Sequence, residues 1–347
     1  MHPGRLIKRY AALACALAAG ALTATGCGTA GEEASVGPPA VATAVSELQR
    51  ALQSSQGNVP SDASEWRTYR AHYGLAFDRV DHELSSITVG TERIAVQTFK
   101  PSQPRGTILI SHGYLDHTGL WSHAIAHFLD KSYAVVAFDY PGHGLSTGQP
   151  ADIDDFTTYR DVLDTVATRT RNRMASPVHL VGHSMGAGLI AEHILRSGLA
   201  PPRRAVLIAP NIRSNHWLLS RAGHTLASPF MNHVPRLNKA VSSNQAFLEF
   251  RANQDPLQAG RTPLRWFREL VEWQREMQTL PPHSADVRII QGTADGVTDW
   301  TYNLPFLQKK LPGAHSVRLP GARHHLINET PPLRQRTLRL TTDYLRP

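Results

Sequence analysis

Beyond residue 66 the apolar positions fall in short runs separated by longer amphipathic stretches. Residues 85–89 and 93–99 flank a turn at Gly90-Thr91, which predicts a β-hairpin. Six further runs, at 107–110, 134–138, 178–181, 205–208, 287–290 and 316–319, have the near-continuous apolar character of strands buried on both faces of a parallel sheet. Residues 121–131, 152–173, 185–197 and 332–345 read as helices between them. Strand, helix, strand, repeated, predicts an α/β layer fold. The sheet should be mostly parallel, with about eight strands and helices on both faces.

One interval breaks this rhythm. Between residues 208 and 287 no clear strand occurs, and a structureless loop that long is improbable in a compact domain. It should hold its own helices, such as 263–279 with Leu264, Phe267, Leu270 and Val271 along one face. Residues 211–254 read as an insertion at the carboxyl edge of the sheet, where ligands bind in such folds. An insertion there is placed to act as a lid.

The N-terminal segment has a different character. Its first ten residues are basic and lack acids, and an apolar run from 11 to 24 ends in small residues, which predicts a secretory signal. The run is too short to span a bilayer comfortably. Ala24-Thr25-Gly26-Cys27 resembles a bacterial lipobox, in which the cysteine is lipidated and becomes the first mature residue. Residues 1–26 are therefore expected to be a lipoprotein signal peptide, with Cys27 the lipidated residue. Cys15 lies mid-run, and a plain signal peptide cut near Ala30 is the alternative. Residues 27–64 shift to Ala, Gly, Ser, Pro and Gln and read as a tether, with a short helix at 41–52. The folded domain is then 65–347. The expected location is the bacterial cell envelope, with the chain anchored to a membrane by lipid.

Charge and cysteine content narrow the partners. The chain has 347 residues and a formal net charge of +8, with two cysteines. Two cysteines exclude a disulfide framework and any Cys-rich zinc site. Arg5, Lys8 and Arg9 lie in the expected signal, and the remaining excess is mild for a nucleic-acid binder, so no nucleic-acid partner is expected. No G-x-x-x-x-G-K-[ST] loop, no G-x-G-x-x-G after the first strands and no H-E-x-x-H occur, so no cofactor and no metal are expected.

Gly182-His183-Ser184-Met185-Gly186 is a G-x-S-x-G motif directly after an apolar run and at the start of a helix, the setting of a nucleophile elbow. A serine on a sharp turn brings strand and helix backbones close, so flanking side chains would collide. Its hydroxyl needs a base. His324 and His325 follow the last strand, at the same sheet edge as the elbow. A carboxylate must then hold the imidazole in the right tautomer. Asp295 follows the strand at 287–290, and the order Ser184, Asp295, His324 is the one found with such elbows. By position, His325 and Asp299 are the rivals for base and acid. The oxyanion donors should be the backbone N–H groups of Met185 and of Tyr114, in the loop 111–117. Asp139, His112 and His143 read as loop architecture.

These residues resemble the α/β-hydrolase superfamily. More narrowly, they resemble the monoacylglycerol lipase and lysophospholipase group, also filed with serine aminopeptidases. The resemblance spans roughly 87–345. It is carried by His112-Gly113-Tyr114 with Asp116-His117, by 139–146, by the elbow, by Asp255-Pro256-Leu257, by 292–297 and by 321–329. It implies an α/β-hydrolase fold with a helical lid, and His324 as the base. It also implies a serine ester hydrolase that cleaves lipid-like carboxylic esters, such as a monoacylglycerol or lysophospholipid, through an acyl-enzyme. A short-chain carboxylesterase, an aminopeptidase and a non-catalytic binding lipoprotein are the other readings. The aminopeptidase would need acidic residues for a substrate ammonium, and no convincing pair stands out.

Overall fold

The short apolar runs form the inner strands of one sheet. The computed structural model describes residues 38–54, 57–197, 204–236 and 240–346. In chain order the strands are β1 (Asn58–Val59), β2 (Val80–Val89), β3 (Glu92–Pro101), β4 (Thr107–Ser111), β5 (Ala134–Phe138), β6 (Val178–His183), β7 (Ala205–Ile208), β8 (His233–Pro235), β9 (Arg261–Pro263), β10 (Val287–Gly292) and β11 (Ala314–Leu319). The helices are α1 (Pro39–Gln53), α2 (Ser64–Tyr73), α3 (Ser122–Asp130), α4 (Phe156–Arg173), α5 (Met185–Ser197), α6 (Trp217–Ala227), α7 (Gln245–Asn253), α8 (Leu264–Thr279), α9 (Trp300–Lys310) and α10 (Pro331–Leu345). Nine strands form the sheet, in the order β1-β2-β3-β5-β4-β6-β7-β10-β11. The pairs from β5 through β11 are parallel, and β1, β2 and β3 form an antiparallel edge. This is an α/β-hydrolase fold.

Alternation along the strands feeds two apolar layers. Leu109, Val136 and Leu180 pack with α4, α5, α8 and α9 on one face. Ile108, Ile110, Val135 and Val181 pack with α1, α2, α3 and α10 on the other. Every residue of β4, β5 and β6 is buried, so the continuous apolar runs reflect cover on both sides.

Several elements differ from the sequence expectation. The hairpin is longer, because its outer ends alternate exposed and buried residues and lack a continuous apolar run. The two-residue β1 is too short to leave a pattern. Helix α9 carries Pro305 inside it, a residue that argues against a helix interior.

The described part of 27–64 is not a free tether. Helix α1 buries Val41, Ala44, Val45, Leu48 and Leu52, an i, i+3, i+4, i+7, i+11 stripe, against the sheet layer that holds α2. The folded unit therefore begins at least at residue 38. The expected signal peptide 1–26, Cys27 and the start of the tether lie outside the described residues. No helix among the described residues is long and apolar enough to cross a membrane.

Between β7 and β10 the chain builds a cap from α6, β8, α7, β9 and α8. The strands β8 and β9 pair antiparallel, Val234 opposite Thr262, so the cap runs past residue 254 to at least Pro263. Helix α8 turns Leu264, Leu270 and Val271 inward as expected, joined by Trp266 and Trp273.

Candidate active site

The elbow joins β6 to α5. Ser184 has φ 52°, the left-handed region that costs a non-glycine residue of order 1–3 kcal/mol. Its backbone is held on both sides: the N–H donates to Ile208 O at 2.9 Å, and the carbonyl accepts from Gly188 and Asn211 N–H, both at 3.0 Å. The flanking glycines are required by space. A Cβ on Gly182 would lie 2.8 Å from the Ala187 backbone, and one on Gly186 would overlap the carbonyl oxygens of Ser111 and His112.

Three side chains distant in sequence meet at this edge. His324 Nε2 lies 3.0 Å from Ser184 Oγ, and His324 Nδ1 lies 2.9 Å from Asp295 Oδ2. An ionised carboxylate only accepts, so the imidazole carries its proton on Nδ1 and offers Nε2 to the serine hydroxyl. All three residues are buried. Asp295 is itself fixed: Oδ1 accepts from Val297 and Thr298 N–H, and Oδ2 accepts from Thr298 Oγ1 and Gln291 Nε2. Burial pushes its carboxyl up. The His324 charge and the hydrogen bonds from His324 and Thr298 outweigh burial and hold it below the usual carboxylate range.

The rivals occupy other roles. Asp299 caps α9 through the Tyr302 N–H at 3.2 Å. His325 turns away from Ser184 and its Nε2 faces Asp116 Oδ2 at 3.8 Å. Asp139 accepts from Thr118 N–H and Oγ1 and from Leu145 N–H, and His112 Nε2 accepts from Tyr140 N–H, the loop architecture expected of both.

Asp116, His183 and His325 bring one polar atom each within 4.8 Å of one another, all buried. Its members bond to the turns around them. Asn328 Nδ2 donates to Leu120 O at 2.9 Å, which orients the amide, and lies 3.3 Å from His325 Nδ1. The proton of His325 then sits on Nε2, facing Asp116 Oδ2 at 3.8 Å. His183 Nε2 donates to the carbonyl of His324 at 3.2 Å. The cluster thereby supports the backbone of the histidine turn.

The loop after β4 presses on the elbow. A Cβ on Gly113 would lie 3.0 Å from Ser184 Cβ, so the backbone leading into Tyr114 runs beside the serine. The Tyr114 ring stacks on Trp266 of α8, with centroids 3.6 Å apart, and its hydroxyl donates to Ala151 O at 2.7 Å. His117 and Tyr73 both bind buried Asp255, at 3.0 and 2.7 Å, which pins the base of the cap to this loop. The cap also reaches the histidine turn, where His325 N–H donates to Val241 O at 2.8 Å. Sequence reasoning had placed Tyr114 by its N–H alone. The contact of its ring with the cap had no local signal, because Trp266 lies far along the chain.

Ser184 and His324 open into a cavity of about 480 Å³ under the cap, within the size range of small-ligand sites. Its walls include Leu264, Trp266, Phe267 and Val241. Among the described residues no aspartate or glutamate lines it.

Comparison with known proteins places this arrangement. The family model described as serine aminopeptidase, S33, matches residues 102–331, more than half of the chain. The chain belongs to the serine aminopeptidase S33 family of α/β-hydrolases. Within the S33 family it is similar to human monoglyceride lipase, 30% identical over 247 residues covering 67% of this chain and 80% of the relative. It is also similar to the phospholipase YtpA of Bacillus subtilis, 29% identical over 182 residues, 50% of this chain and 69% of the relative. A solved soluble variant of monoglyceride lipase from Saccharomyces cerevisiae shares the fold, with a TM-score of 0.65 at 17% identity, over 76% of this chain and 94% of that one. The chain thus falls in the monoacylglycerol lipase and lysophospholipase group of α/β-hydrolases.

Proposed function

We propose that this chain is a serine hydrolase that cleaves lipid-like carboxylic esters through an acyl-enzyme. The observation that carries the reading is the continuous hydrogen-bond chain Ser184–His324–Asp295 at the floor of an apolar-walled cavity. Ser184 Oγ attacks the ester carbonyl while His324 Nε2 takes its proton. The tetrahedral oxyanion is held by the N–H groups of Met185 and Tyr114, each worth about 2.7–4 kcal/mol in the transition state. His324 then protonates the leaving alcohol, and water, activated by the same nitrogen, releases the acid. Asp295 keeps the imidazole in the working tautomer and stabilises the imidazolium.

A lipid-like ester is favoured by three features. The cavity walls are largely apolar, named relatives act on monoglycerides or phospholipids, and helix α6 exposes Leu218 and Leu226, at 77% and 60%, next to half-exposed Leu219 and Phe230. Among the described residues the lining offers a substrate ammonium no acid and instead presents Arg236 and Arg251, which weighs against aminopeptidase chemistry. A fluorophosphonate probe tests the reading. It should label the wild-type chain and not Ser184→Ala; an unlabelled wild type would favour a non-catalytic binding protein.

The lipobox-like Ala24-Thr25-Gly26-Cys27 supports a second part of the proposal: Cys27 is lipidated and anchors the enzyme to a membrane of the bacterial cell envelope. Palmitate labelling should be lost in Cys27→Ala, and label that survives would end that part.

A further inference from the structure

Two cap arginines face the catalytic cavity with no carboxylate at ion-pair distance among the described residues. Arg236 follows β8 and Arg251 lies on α7, and both line the space that holds Ser184. Arg251 donates to neutral acceptors, Gln258 Oε1 at 3.1 Å and Leu115 O at 3.4 Å, which puts it beside the loop of Tyr114. Arg236 has one long bond, to Ala259 O at 3.5 Å. Neither forms an ion pair among the described residues.

The charge of Asp255 reaches both arginines and that of Asp116 reaches Arg251, but these carboxylates direct their oxygens to other donors. Asp255 accepts from Tyr73, His117 and Gln258, and Asp116 from the His117 N–H and the Trp121 indole. Burial and the charge of Arg251 push Arg236 down to about 10. Two like charges in one half-buried wall, met by carboxylates only at longer range, favour an anion that bonds both directly. Guanidinium pairs match the fork geometry of phosphate oxygens. A second cavity, of about 410 Å³, lies against the same two arginines on the cap side, with Glu249 and Gln245 in its wall. A head group could extend there.

We infer that Arg236 and Arg251 form a phosphate site for the head group of the ester substrate, so that a lysophospholipid is preferred over a neutral monoacylglycerol. This rests on the reading of Ser184 as nucleophile for which ester is cut, but not for the anion site itself. The test therefore uses ligands that lack an ester. Octyl phosphate and 1-O-octylglycerol are titrated by calorimetry into the wild-type chain, Arg236→Gln and Arg251→Gln. Octyl phosphate should bind wild type at least about tenfold more tightly than the neutral ether, a preference that falls with salt. That ratio should collapse toward one in each variant. If Arg251→Gln does not fold, Arg236→Gln decides alone, with Arg251→Lys expected to keep part of the preference. Equal affinities in wild type, or a preference that survives substitution, overturn the proposal. Loss of probe labelling at Ser184 with the binding preference intact would instead overturn the hydrolase reading.

Discussion

The floor of the site and its cap are built on different principles. On the floor the groups proposed for chemistry are fixed from all sides: the elbow backbone bonds to Ile208, Gly188 and Asn211, and Asp295 accepts from His324, Gln291, Val297 and Thr298. The cap meets the floor away from the reacting atoms, through the Tyr114–Trp266 stack, the Asp255 bonds, the Val241 carbonyl, the Arg265–Asp152 pair and the bond from Trp273 Nε1 to Glu192, among others. Proton transfer needs heavy atoms about 2.6–3.2 Å apart. Recognition of an acyl chain needs only apolar walls. The bonds that fix the reacting atoms directly are therefore gathered where distance decides the rate.

Substitutions can break this contrast, and the floor should give the larger effects. Ser184→Ala should lower kcat/KM for any ester by about a millionfold, leaving the melting temperature nearly unchanged. Asp295→Asn keeps the shape but removes the acceptor that sets the tautomer, so kcat should fall by roughly 10³–10⁴ with KM little altered. Gly186→Ala forces a methyl into Ser111 O and His112 O. Because the elbow must shift, kcat should drop about a hundredfold, and the melting temperature by roughly 5 °C, measured by steady-state assay and calorimetry.

The cap should respond differently. Trp266→Ala removes the ring on which Tyr114 stacks and part of the cavity wall. It should raise KM for long-chain esters about tenfold while kcat changes less. An equal loss for acetate and oleate esters would show that the cap serves catalysis and not acyl recognition.

What could be read in the sequence follows the same divide. Strands covered on both faces left continuous apolar runs, and the strained elbow left its two glycines, so the floor was visible in one dimension. Helix α1 left a clear stripe at Val41, Val45, Leu48 and Leu52, but its flanks of Gly, Ser and Pro pointed to a tether, and only packing against α2 shows otherwise. The cap strands β8 and β9 are three residues each and carry prolines, too short and too interrupted to register. Arg236 and Arg251 lie fifteen positions apart, and nothing local marks them as neighbours. The cluster of Asp116, His183 and His325 was likewise hidden, because its members come from two separate loops and the end of β6.

Far from the site, the smallest effect is expected from protonation. His82 is buried between Trp66 and Phe99, and burial pushes its pKa down to about 3. The unfolded chain takes up that proton below about pH 6.5 and the folded chain does not, so stability is complete above that pH and declines as pH falls toward 3. The melting temperature should fall less between pH 7 and pH 4 in His82→Phe than in wild type. Parallel curves would mean that other groups carry the acid sensitivity.

The acyl-enzyme is the most direct test of the central claim. A p-nitrophenyl ester is mixed with the chain, quenched in acid within the first turnovers and analysed by peptide mass spectrometry. One acyl group should sit on Ser184, with a burst of p-nitrophenol equal to the enzyme present. Steady turnover with Ser184 unmodified would contradict the account, as would an adduct on any other residue.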